Sequence, residues 1–70
     1  MSANRQHTPS DDLFLAVRAR LILRGLSFAA YCRNRGLTRQ NAASALRGFW
    51  RGRKASELVK SIMDDLGMIE

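Results

Sequence analysis

The sequence predicts an all-α fold: a compact four-helix domain, with room for a short fifth turn. Three observations lead there. Apolar residues recur every three or four positions in four segments, no segment alternates as a strand does, and glycines at 25, 36, 48 and 67 separate the segments. Seventy residues suit one domain with a thin core. Cys32 is a lone cysteine, so no intrachain disulfide forms, and together with His7 it offers too few soft ligands for structural zinc. Stability must come from helix packing or self-association.

Residues 1–9 are polar and unpatterned, which predicts a mobile tail, and the domain spans 10–70. Ser10 is placed to cap a first helix over 11–24. Asp11 and Asp12 sit at its positive end, and Leu13, Phe14, Ala16, Val17 and Leu21 form its inner stripe. Ser27 caps a second helix over 28–35 that turns Phe28, Tyr31 and Cys32 inward. Gly36 closes it, because the left-handed turn there suits glycine. Leu37 follows as an apolar plug and Thr38 caps a third helix over 39–47, with Ala42, Ala45 and Leu46 inside. A basic, aromatic linker over 49–54 leads to a fourth helix over 55–66 that buries Leu58, Val59, Ile62, Met63 and Leu66. Phe49 is expected to anchor the corner, Trp50 to lie in the core, and Met68 and Ile69 to cover the core rather than meet a second copy.

The charge is arranged unevenly. The net charge is +6, and all six acids lie near the ends of the sequence, at Asp11, Asp12, Glu57, Asp64, Asp65 and Glu70. Between Asp12 and Glu57 there are ten cations and no acid: Arg18, Arg20, Arg24, Arg33, Arg35, Arg39, Arg47, Arg51, Arg53 and Lys54. A one-signed middle on a small domain attracts polyanions, and arginine forks suit phosphates and guanine edges.

Residues 28–47 meet the demands of two short helices crossing at a steep turn: a small residue at Cys32, Gly36 in the turn, Leu37 between the helices, and Thr38 as cap. The third helix then has an outer polar side of Arg39, Gln40, Asn41, Ser44 and Arg47. Over 26–48 the sequence resembles the phage repressor and Cro family of helix-turn-helix domains, in particular the small regulators of Mu-like prophages. Those share a stretch ending in Leu-x-Gly, here Leu46-Arg47-Gly48. Two positions depart from the family's pattern: Arg35 stands where an apolar residue is usual, and Ala45 where a large one is. The resemblance implies a lambda-repressor-like helix-turn-helix domain in which Thr38 and Arg39 meet phosphate and base, Gln40 and Ser44 occupy base-reading slots, and Asn41 lies beside them.

Side-chain chemistry points the same way. Arginine grips guanine, and glutamine or asparagine grips adenine, each with two hydrogen bonds. Arg39, Gln40, Asn41 and Ser44 are therefore the candidate base contacts, with Thr38, Arg47, Arg51, Arg53 and Lys54 as backbone contacts. No Ser-His-Asp set, phosphate loop or metal spacing is present, so neither catalysis nor a cofactor is expected. No stretch is long enough to span a membrane and the N-terminus is unlike a secretion signal, so the expectation is a cytoplasmic, nucleoid-associated protein. The expected partner is double-stranded DNA, read by a transcriptional regulator that can pair as a homodimer. Two alternatives remain: a non-specific nucleic-acid or RNA binder, and a basic protein-interaction adaptor.

Overall fold

The apolar spacing of each segment becomes a helix: α1 Asp11–Leu23, α2 Phe28–Asn34, α3 Arg39–Arg47 and α4 Arg53–Asp65. The computed structural model describes residues 9–68, so most of the expected tail, His7 and Ile69 lie outside the described residues. Ser10 and Ser27 are extended, and their hydroxyls accept from the amides of Leu13 (3.2 Å) and Ala30 (3.0 Å). Thr38 occupies the matching position before α3, but its side chain makes no capping bond.

α4 begins at Arg53 rather than 55, so the linker stops at Gly52 and both Arg53 and Lys54 belong to the first helical turn. Charged side chains add nothing to an apolar periodicity, so spacing points to the later start, yet Arg and Lys are good helix formers and extend the helix back to Gly52.

Three helices end alike. The amides of Leu26, Leu37 and Met68 reach back to the carbonyls of Leu21, Cys32 and Met63, and the preceding glycine amides bond Ile22, Arg33 and Asp64. This is the Schellman arrangement, and each time an apolar residue after the glycine returns to the core. Met68 is buried in this way.

α3 packs against α1, α2 and α4 alike, so the core gathers around Ala42, Ala45 and Leu46. Leu13, Val17 and Leu21 close it from α1, and Ala55, Val59, Ile62 and Met63 from α4. Phe14, Ala16, Phe28, Leu37 and Leu58 are only half-buried at its margin, and Phe14 meets Phe28 edge-on at 5.2 Å.

Two aromatic expectations fail. Phe49 is 72% exposed and Trp50 37% exposed. The same backward bonding that returns Leu37 to the core margin joins the Phe49 and Trp50 amides to Ser44 O, but after α3 Phe49 lies outside the core. There it lies against the Arg47 guanidinium, 4.9 Å from the ring centre.

The last turn of α4 carries Asp64 and Asp65 and no base, a poor match to the negative end of a helix. Other helices supply the cations. Arg20 of α1 donates to Leu66 O at 3.1 Å, and Arg35, just past α2, pairs with Asp65 at 2.8 Å. Among the described residues, no helix is long and apolar enough to cross a membrane.

Candidate nucleic-acid interface

α3 divides cleanly by helical spacing. Ala42, Ala45 and Leu46 are buried, Arg39, Gln40, Asn41 and Arg47 are exposed, and Ala43 and Ser44 are half-buried. Gln40, Ser44 and Arg47 lie along one line of the helix, with Arg39 and Ala43 on the flank beside it and Asn41 on the other flank. α4 covers the inner side of α3 and leaves this outer side at the surface.

Beside the first turn of α3 lies an open cleft of about 500 Å³, walled by Phe14 and Arg18 of α1, Ser27 and Phe28 at the start of α2, and Arg39 and Gln40. Asn41 and Ser44 are not part of its lining. The four candidate base contacts therefore share one helix but not one recess.

The candidate backbone contacts divide into two groups. Arg53 and Lys54 are exposed on the first turn of α4, and its cap, Gly52, brings no side chain to accept from the leading amides. Thr38 is exposed at the head of α3. Arg47 and Arg51 are already engaged. Arg47 Nε donates to Asp11 Oδ1 at 2.8 Å, and its guanidinium lies 5.9 Å from the Phe14 ring and 4.9 Å from that of Phe49. Arg51 Nε donates to Gly48 O at 3.2 Å.

Beneath the surface, the Cys32 thiol sits in the core under α3. Burial raises its pKa against the opposing pull of the Arg39 guanidinium, so it stays protonated and serves as a small apolar filler.

Two groups were missed in the sequence. Phe14 and Arg18 are four residues apart on α1 and share a flank, a spacing that could have shown them as one wall. The cluster of Tyr31, Arg35, Ser61 and Asp65 brings together two four-residue pairs, Tyr31 with Arg35 and Ser61 with Asp65, and no local signal links one pair to the other across more than 25 positions. Tyr31 OH donates to Asp65 at 2.9 Å, while Arg35 donates to Tyr31 and to Ser61 at 3.0 Å each. No family model, curated protein or solved structure matches the chain.

Proposed function

We propose that this protein is a sequence-specific double-stranded DNA-binding domain acting as a transcriptional regulator of the phage or mobile-element type. In this reading α2, the Gly36 turn and α3 form a helix-turn-helix, and α3 enters the major groove. The observation that carries the reading is the outer side of α3: Arg39, Gln40 and Asn41 stand exposed on its first turn, with no acid on the helix. Such side chains at a helix N-terminus suit base edges on a groove floor. Arg53 and Lys54 suit flanking phosphates, and a second copy on an adjacent half-site about 34 Å away would add affinity.

Selection from random duplexes tests this. A preferred site should emerge, and binding should weaken with salt at a log–log slope near −0.9 per phosphate contacted. Arg39→Ala or Gln40→Ala should cost about 1–3 kcal/mol at particular base pairs. Lys54→Ala should weaken all duplexes alike. Equal losses on every sequence for both kinds of variant would favour a non-specific nucleic-acid binder. No shift of any DNA or RNA at low salt would favour a protein adaptor.

A further inference from the structure

The cleft beside α3 holds two arginines from different helices and no acid. The Arg18 guanidinium lies 5.7 Å from the centre of the Phe14 ring, and that ring is braced edge-on by Phe28. Arg39 lines the same cleft from α3. Among the described residues, neither arginine pairs with a carboxylate. Two cationic side chains that line one recess repel each other. An anion between them reverses its sign. The rest of the lining suits an anion too. Ser27 Oγ already accepts from Ala30, which leaves its own O–H to donate, and the Gln40 amide carries two further donors.

We infer that this cleft seats one backbone phosphodiester of the bound duplex, gripped by Arg18 from α1 and bordered by Arg39. The inference rests on the DNA-binding reading above and extends the interface to a helix outside the α2–α3 pair. Because Arg39 and Gln40 lead α3, the phosphate flanks the base pairs they read. Holding Arg18 against a ring limits the freedom it loses on binding.

The test uses the selected duplex with single phosphates replaced, one at a time, by neutral methylphosphonates. Arg18→Gln should lower affinity about tenfold on every sequence and reduce the salt slope by about 0.9. The wild-type protein should be weakened by neutralising one particular phosphate, and Arg18→Gln should be indifferent to that same replacement. Arg18→Lys should keep the salt slope. If Arg18→Gln shows wild-type helicity, affinity, slope and phosphonate sensitivity, the cleft does not hold a phosphate, while the DNA-binding reading stands. If the wild-type protein selects no duplex at all, both fall together.

Discussion

Tyr31 shows how a single side chain ties distant parts of this small protein together. Its ring is buried, while its hydroxyl donates to Asp65 and accepts from Arg35. Burial first, and the bond to Asp65 second, push its pKa from the ordinary 10 up to about 12. A group raised in the folded state loses its proton first in the unfolded chain. Its contribution to stability is therefore complete below pH 10 and disappears as pH rises toward 12. Urea unfolding followed across that window should show the midpoint falling in the wild type and falling less in Tyr31→Phe. Identical declines would mean that the hydroxyl is not responsible. Asp65→Asn removes an ion pair that is partly open to solvent and should cost about 1 kcal/mol at neutral pH.

The elements are bounded by their caps. Gly36 and Gly48 both adopt positive φ, at 70° and 87°, where a side chain is strained. They differ in their surroundings. A Cβ at Gly36 meets nothing within 4 Å, whereas one at Gly48 would lie 3.1 Å from the carbonyl oxygen of Pro9. That carbonyl precedes Ser10, whose amide donates to Leu46 O at 2.8 Å and joins the start of α1 to the end of α3. Gly36→Ala should therefore cost about 1 kcal/mol, and Gly48→Ala clearly more, in thermal or urea unfolding. Equal costs would show that the Pro9 contact gives way freely. Among the N-caps, Ser10→Ala and Ser27→Ala should each cost about 1 kcal/mol. Thr38→Ala should cost less, because no capping bond is lost.

For the whole molecule, α3 has two duties. It is the helix that the other three pack against, and its outer side is the proposed reading surface. The inner side has no reserve, since Ala42 and Ala45 are small and Leu46 is the one large side chain it contributes. Leu46→Ala should cost about 2–5 kcal/mol, comparable to the entire stability of a domain this size. Circular dichroism should find this variant largely unfolded at 37 °C. Leu23→Ala is the control: Leu23 is 85% exposed, and its removal should shift the melting temperature little. A Leu46→Ala variant that melts like the wild type would place the packing centre elsewhere.

The order and type of the four helices, the buried stripes of α1 and α3, and the outward face of α3 all follow from the sequence alone. Spacing and caps act within a few residues, so Ser10, Ser27 and the glycine stops are legible one turn at a time. Only the tertiary structure settles which way Phe49 points, which acids accept Arg35 and Arg47, and that Arg18 of α1 and Arg39 of α3 line one cleft. Those outcomes depend on how helices far apart in the chain are oriented against one another, and that orientation is set by the packing of the whole core.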